Sequence, residues 1–310
     1  MDRVVFLFPG QGSQAVGMGR DFYDRSEEAR RIFAEADDAL GFRLSRLCLE
    51  GPEEELRLTP NTQPALLTVS TIAWTLLGAE PLLGAGHSLG EYSALVSAGA
   101  LKFYDAVRLV YKRGTYMQEA VPAGVGAMAA VLGASCEAVE QALDTIKNGV
   151  VEIANWNSLE QIVIAGHKNA VEQALELIKA PKSVMLPVSA PFHTRLMAAA
   201  EERLSRDLDS AEFHDLRFPI ITNVEAKVIR TAGEARESLK RQVSRPVLWS
   251  KSMEILKNEN ITAAVELGSG RVLSGLIKRI SRAWPSPPAV FNVEDWESLG
   301  KAKKALSGSV

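Results

Sequence analysis

The chain has 310 residues, with 38 acidic against 35 basic side chains and a net charge of −3. At about 150 residues per domain this fits two folding units, or one large unit carrying an insertion. Hydrophobic residues at 46% and charged residues at 24% describe a globular protein with a real core, which excludes a mostly disordered chain. The lack of any cationic excess argues against a nucleic-acid protein.

Membrane and secretion signals are equally absent from the pattern. No apolar run approaches the roughly 18 residues of a membrane span. Met1-Asp2-Arg3-Val4-Val5 lacks a basic region followed by a long apolar stretch, so no leader for export is expected. Cys48 and Cys136 lie far apart without CxxC spacing. They read as idle thiols of a reducing compartment, and a cytoplasmic location is the expectation.

In chain order, Val4–Phe8 is an unbroken apolar run that stops at Pro9-Gly10, the pattern of a buried strand. A helix is expected near 26–40, and another over 63–77 with Gln63-Pro64 opening it. Leu82-Leu83 reads as a short strand before the turn Gly84-Ala85-Gly86, and small residues from Ser88 to Ala100 suit a closely packed helix. A further helix runs from Asp105, taken as its N-cap, to about Ala120.

The turn-rich stretch from Val121 to Gly126 marks a boundary. Beyond it the patterns read strand 127–132, helix 135–146, strands 150–154 and 161–165, helix 168–179 and strand 183–188. That β-α-β-β-α-β order is the split unit of ferredoxin-like domains. From Pro191 the longer rhythm returns, with a helix at 194–208, a strand at 218–223, a helix near 233–243 and helical character around Trp249. A strand at 263–267, a helix from Arg271, a strand at 289–293 and a C-terminal helix complete it. Apolar strands alternating with helices imply a mainly parallel sheet covered on both faces. The expected architecture is one α/β domain, 1–122 with 195–310, interrupted by a small domain at 123–194.

Gly86-His87-Ser88-Leu89-Gly90 is a G-x-S-x-G sequence between a short apolar run and a helix of small residues. In that setting the motif makes a nucleophile elbow, with the serine exposed at the head of a helix whose N–H groups favour developing negative charge. The Leu89 N–H is then one oxyanion donor, and Gln11 in the Gly10-Gln11-Gly12 turn after the first strand can supply another.

A serine nucleophile needs a base, and the four histidines are His87, His167, His193 and His214. His87 shares the serine's own turn. His167 reads as part of a polar turn and His214 as surface, which leaves His193 behind the rigid Ala190-Pro191-Phe192. The group that orients the base stays open. Asp105 and Asp144 sit at or in helices and Asp207 and Asp209 look exposed, while a backbone carbonyl would serve as well.

Arg113 lies on one helical face with Ala106, Leu109, Val110, Met117 and Ala120. A guanidinium in an apolar stripe is costly unless an anion meets it. One reading is a partner carboxylate or a snorkelling side chain. The other is a bidentate receptor for a substrate carboxylate. No GxxxxGK[ST] or GxGxxG loop and no cluster with metal-ligand spacing is present, so no phosphate loop and no metal site are expected.

Taken together these stretches resemble a family. Phe8-Pro9-Gly10-Gln11-Gly12-Ser13-Gln14, Thr62-Gln63-Pro64-Ala65, Gly86 through Tyr92, Arg113-Gly114 with Met117-Gln118, Asn155-Trp156-Asn157, Pro191-Phe192-His193, Arg241-Gln242 with Pro246-Val247, and Glu266 through Gly270 occur in family order over nearly the whole chain. The sequence resembles the malonyl-CoA:acyl-carrier-protein transacylases of bacterial fatty acid synthesis and the acyltransferase domains of polyketide synthases.

The resemblance implies an α/β-hydrolase-like core with a ferredoxin-like insert. It implies Ser88 as acyl acceptor, His193 as base, Arg113 as holder of the malonyl carboxylate, and Gln11 and Leu89 as oxyanion donors. Gln63 would line the site, the Gln242 carbonyl would orient the histidine, and Phe192 marks the malonyl-type form of its motif, where methylmalonyl-type domains carry serine. Malonyl-CoA and an acyl carrier protein are the implied partners, with no metal or bound cofactor, and a monomer is expected. Gly268-Ser269-Gly270 departs from the commoner Gly-Pro-Gly. A serine hydrolase is the nearest rival, disfavoured by Arg113, and a non-catalytic binding module is the more distant one. Lys278, Arg279 and Arg282 are candidates for docking the carrier.

Overall fold

In the computed structural model, which describes residues 3–122, 124–188 and 190–307, the first apolar run forms strand β1 (Val4–Phe8), buried along its whole length. Its side chains divide between two cores. Val4, Phe6 and Phe8 face a large cluster with Leu66, Val69 and Leu95. Val5 and Leu7 face a smaller one with Trp249, Met253 and Leu276. A continuous hydrophobic strand is what a sheet covered on both sides requires.

The other strands are β2 (Leu83–Gly86), β3 (Gly126–Leu132), β4 (Val151–Ser158), β5 (Gln161–His167), β6 (Lys182–Met185), β7 (Ile220–Ile221), β8 (Val228–Ile229), β9 (Ala263–Leu267) and β10 (Ala289–Val293). Six of them form one sheet in the order β10-β9-β1-β2-β7-β8. Its pairs are parallel except the terminal β7–β8 hairpin. The remaining four form an antiparallel sheet, β4-β5-β3-β6. Its helices are Cys136–Thr145, between β3 and β4, and Lys168–Ile178, between β5 and β6, which is the βαββαβ order read from the sequence.

This second sheet is also covered twice at its centre. Ala127, Ala129 and Val131 pack with Val139 and Val171 of its own helices, while Met128 and Ala130 join the large cluster. Its edge strand β6 is exposed at every position. Cys48 is completely buried in the large cluster, and burial pushes its thiol well above the ordinary range.

Several expected boundaries move. The helix expected from Gln63 runs Thr59–Leu77, with Pro60 in its first turn and Pro64 inside it. The Asn61 and Thr62 N–H groups both donate to the Leu58 carbonyl at 2.8 Å, so the turn closes earlier. The helix expected from Asp105 is Phe103–Glu119. The Ala106 N–H already donates to the Lys102 carbonyl at 3.0 Å, and Asp105 sits in the first turn, where a carboxylate suits the exposed N–H groups. The strand expected at 218–223 shrinks to β7, because only Gly84 and Ala85 of β2 offer it partners. The strand expected at 183–188 stops at Met185. Helices Arg20–Arg25, Leu44–Glu50 and Glu53–Leu56 carry too few turns to announce themselves by period. Ala123, the expected first residue of the inserted unit, lies outside the described residues. Among those described, no helix is long and apolar enough to cross a membrane.

Candidate active site

The chain turns sharply after β2. A Cβ on Gly86 would stand 1.9 Å from the Gly90 carbonyl, and one on Gly90 would stand 1.9 Å from the Phe8 carbonyl. Only glycine at both positions lets the strand end and the helix Gly90–Ser97 meet this closely. Ser88 at the apex has φ 51°, a left-handed conformation that a serine holds only where its surroundings fix it. Asn223, just beyond β7, does the fixing: its Oδ1 accepts from the Ser88 N–H at 2.7 Å, and its Nδ2 donates to the Gly86 carbonyl at 2.7 Å.

Ser88 Oγ lies 2.7 Å from His193 Nε2. On the other side of the ring, Nδ1 faces the Gln242 carbonyl at 2.9 Å and the Arg245 carbonyl at 3.2 Å. Carbonyl oxygens only accept, so Nδ1 carries the proton and the Nε2 lone pair faces the hydroxyl. His193 also has a left-handed backbone, φ 60°, held by its N–H donating to the Val243 carbonyl at 3.2 Å. Burial first, and then the Arg113 charge, lower its pKa to about 3. The ring is therefore a neutral acceptor at physiological pH.

None of the acids weighed in the sequence reaches this ring. Asp207 pairs with Lys112 at 2.5 Å and accepts from the Tyr116 hydroxyl at 2.7 Å, and Asp209 pairs with Lys240 at 2.6 Å. Among the other histidines, His167 accepts the Val150 N–H through Nδ1 at 3.0 Å, and His214 stands 3.7 Å from Glu212. His87 packs against Trp249 at 5.4 Å between ring centroids, with its Nε2 2.8 Å from Asn157 Oδ1.

Arg113 is 1% exposed, and among the described residues no carboxylate lies within salt-bridge distance of it. Nη1 donates to Gln63 Oε1 at 2.8 Å, and Nη2 donates to Gln242 Oε1 at 2.8 Å and to Ser88 Oγ at 3.1 Å. Its Nε has no partner. The Tyr92 ring lies 5.5 Å from the guanidinium carbon. The cation is thus wrapped in neutral oxygens and a π-face beside the serine. The helix carrying it approaches closely because a Cβ on Gly114 would stand 2.7 Å from the Thr59 carbonyl.

Leu89 is 1% exposed at the head of the helix Gly90–Ser97. Gln11 is half-buried after β1, its side-chain Nε2 3.4 Å from Thr59 Oγ1. Among the described residues neither the Gln11 nor the Leu89 N–H has a partner within the protein, which leaves both amides open to an oxyanion. Phe192 is 6% exposed and belongs to the large core. Sequence reasoning gave no role to Glu91, one turn past Ser88. Its Oε2 accepts from Gln242 Nε2 at 2.8 Å and from the Asn223 N–H at 3.1 Å, and its Oε1 accepts from Ser238 Oγ at 3.2 Å. Burial outweighs these hydrogen bonds and the Arg113 charge, and pushes its carboxyl up to about 7. Asn223 was missed as well. Its signal was a polar residue at the carboxyl end of an apolar strand, where α/β sheets place their sites.

A serine elbow on a parallel sheet, a histidine ring on its hydroxyl and a buried cation beside it fit an acyl-transferring class, and the comparisons agree. The chain belongs to the acyl transferase domain family, whose pattern matches residues 5–307. Similar curated proteins are named malonyl CoA-acyl carrier protein transacylase. The one from Bacillus subtilis (strain 168) is 48% identical over 290 residues, covering 91% of this chain and 92% of that protein. The one from Escherichia coli (strain K12) is 45% identical over 288 residues, covering 90% and 93%. Among solved structures, the Coxiella burnetii transacylase superposes with a TM-score of 0.95 at 39% identity over 98% of both chains. A malonyl-transacylase in complex with its type II polyketide acyl-carrier protein gives 0.94 at 41% identity, over 98% of this chain and 99% of that one.

Proposed function

We propose that Ser88 carries the acyl group in transit, with His193 as base and acid and Arg113 as the receptor for the acyl group's free carboxylate. The chain is a malonyltransferase: it moves malonyl from coenzyme A to the phosphopantetheine thiol of an acyl carrier protein, supplying chain elongation. The observation that carries the assignment of residues is one oxygen with two neighbours. Ser88 Oγ has a neutral imidazole at 2.7 Å and, at 3.1 Å, a guanidinium with no carboxylate in salt-bridge reach among the described residues. A hydrolase of neutral acyl groups gains nothing from the second.

The steps follow from this arrangement. The malonyl carboxylate takes the guanidinium, displacing its contact with Ser88. Ser88 Oγ attacks the thioester carbonyl while its proton passes to His193 Nε2. The oxyanion is received by the Gln11 and Leu89 N–H groups. Collapse breaks the carbon–sulfur bond, His193 returns the proton to sulfur, and coenzyme A leaves as its thiol. The carrier thiol then attacks the serine ester, giving its proton to His193, which passes it back to Ser88 Oγ as the ester breaks. These steps draw only on the chain's residues and the two thiols. Gln63 and Gln242 hold Arg113, the Gln242 carbonyl orients His193, and Phe192, its neighbour in the chain, is the proposed acyl-contacting residue. Lys278, Arg279 and Arg282, exposed at the end of the helix Val272–Ile280, are the proposed carrier contacts. We divide the chain into 1–122 with 195–310 and an insert, 123–194, as the two sheets suggest.

Intact mass after brief incubation with malonyl-CoA tests this. The expected result is a malonyl adduct on wild type, absent from Ser88→Ala and discharged by carrier-protein thiol. Steady coenzyme A release with no adduct would turn the reading to a hydrolase.

A further inference from the structure

Glu91 is 0% exposed, and among the described residues no lysine, arginine or histidine nitrogen lies within salt-bridge distance of it. A carboxyl in such a place is costly unless its acceptor capacity is used. Its two main partners lead to different parts of the site. Asn223 holds the Ser88 N–H and the Gly86 carbonyl. Gln242 reaches further: its backbone carbonyl takes His193 Nδ1 and its side-chain Oε1 takes Arg113 Nη2.

The polarity of the Gln242 amide is the point of interest. A primary amide fits a cavity either way round. Here Nε2 has two acceptors, the Ser88 carbonyl at 2.9 Å and Glu91 Oε2 at 2.8 Å. With the nitrogen committed, Oε1 must face Arg113. Reversed, the amide would aim two N–H groups at a guanidinium and push it away. Orienting the cation through a neutral oxygen has a second effect: a carboxylate placed directly on Arg113 would neutralise the charge that the substrate needs.

We propose that Glu91 is a positioning residue for acyl selectivity: its acceptor oxygen fixes the Gln242 amide, which holds Arg113 in place with its charge unspent. This rests on the reading of Arg113 as the malonyl carboxylate's receptor. The contacts distinguish an acceptor role from a charge role. Oε2 takes both N–H donors and Oε1 takes only the Ser238 hydroxyl. A glutamine at 91 can therefore put its oxygen toward Gln242 and Asn223 and donate to Ser238 Oγ. A methionine fills similar space with no acceptor.

The test measures kcat and KM for malonyl-CoA and acetyl-CoA in wild type, Glu91→Gln, Glu91→Met, Glu91→Asp and Arg113→Ala, with labelling of Ser88 by a neutral fluorophosphonate as a check on the serine–histidine pair. Glu91→Gln should keep the malonyl-to-acetyl preference. Glu91→Met should lose a few-fold to about tenfold of it, the worth of a neutral hydrogen bond, through a raised malonyl-CoA KM while acetyl-CoA kcat and labelling hold. A role confined to packing would not move that ratio. Preference unchanged in Glu91→Met overturns the proposal, as does equal loss in Glu91→Gln, which would make charge the agent. Should Glu91→Met fail to fold, Glu91→Asp decides, since its shorter reach gives up Gln242: an unchanged preference there also overturns it. Arg113→Ala separates the two ideas. Preference retained in that variant sinks the arginine reading itself, whereas preference lost there but kept in Glu91→Met sinks only the role of Glu91.

Discussion

The parallel and the antiparallel sheet are each covered on both faces at their centres, yet they serve the site differently. In the parallel sheet the strands end on one side, so the turns after β1, β2 and β7 bring Gln11, Ser88 and Asn223 together. In the antiparallel sheet neighbouring strands end on opposite sides, and its contributions are single. Asn157 comes from β4 and meets His87. His193 comes from the turn beyond β6, and it is oriented by carbonyls of Gln242 and Arg245, which lie outside that sheet. One sheet assembles a constellation by its direction alone. The other presents walls and needs help from elsewhere to aim a side chain.

The strongest way to break this contrast is at the histidine, where both regions meet. His193→Ala should lower malonyl transfer by about 10²- to 10⁴-fold, the range for a general base, as read by carrier-protein acylation rates. A smaller loss would mean that another group takes the serine proton. Stability sharpens the contrast next. Phe6→Ala, at the centre of the parallel sheet, should cost about 3–5 kcal/mol in urea unfolding. Met185→Ala, on the exposed strand β6, should stay within about 0.5 kcal/mol. Comparable losses would mean that the edge strand is better packed than its exposure indicates.

Arg113→Ala should reduce malonyl-over-acetyl preference by about 1.5–3 kcal/mol, the worth of a hydrogen-bonded ion, while acyl transfer partly survives; competition kinetics with the two thioesters reads it. A further effect concerns pH. His193 has a pKa of about 3 in the fold against 6.5 as its ordinary value. The unfolded chain therefore binds a proton that the folded one refuses. Its contribution to stability is complete above 6.5 and is lost as pH falls from 6.5 toward 3, by up to about 1.4 kcal/mol per pH unit. His193→Gln should flatten the acid limb over that window in denaturant titrations. Parallel limbs would show that the histidine is more solvated than its burial implies.

What the sequence disclosed follows the same division. The elbow was legible because its causes are local: two glycines around a serine, an apolar run before and small residues after. Arg113 was legible because an arginine in an apolar stripe contradicts its surroundings. His193 came only by elimination among four histidines, and its partner stayed open because every residue has a carbonyl. Which carbonyl lies near the ring is settled by tertiary packing. Asn223 and Glu91 act through contacts 132 to 151 residues away in the chain, and local pattern does not show these. The early start of the helix Thr59–Leu77 was masked by its second proline, which drew attention away from Pro60.

The placement of the two cysteines bears on how the transferred group is kept. An ester beside a protein thiol exchanges with it, and the acyl group would wander over the chain. Cys48 is sealed in the large core with its thiol held protonated. Cys136 opens a helix that packs on the face of the antiparallel sheet turned away from the large core, and burial raises its thiol pKa as well. The protein handles two thiol substrates in succession while keeping its own sulfur out of the exchange. The acyl load should therefore stop at one group per chain, however long the enzyme waits for its acceptor.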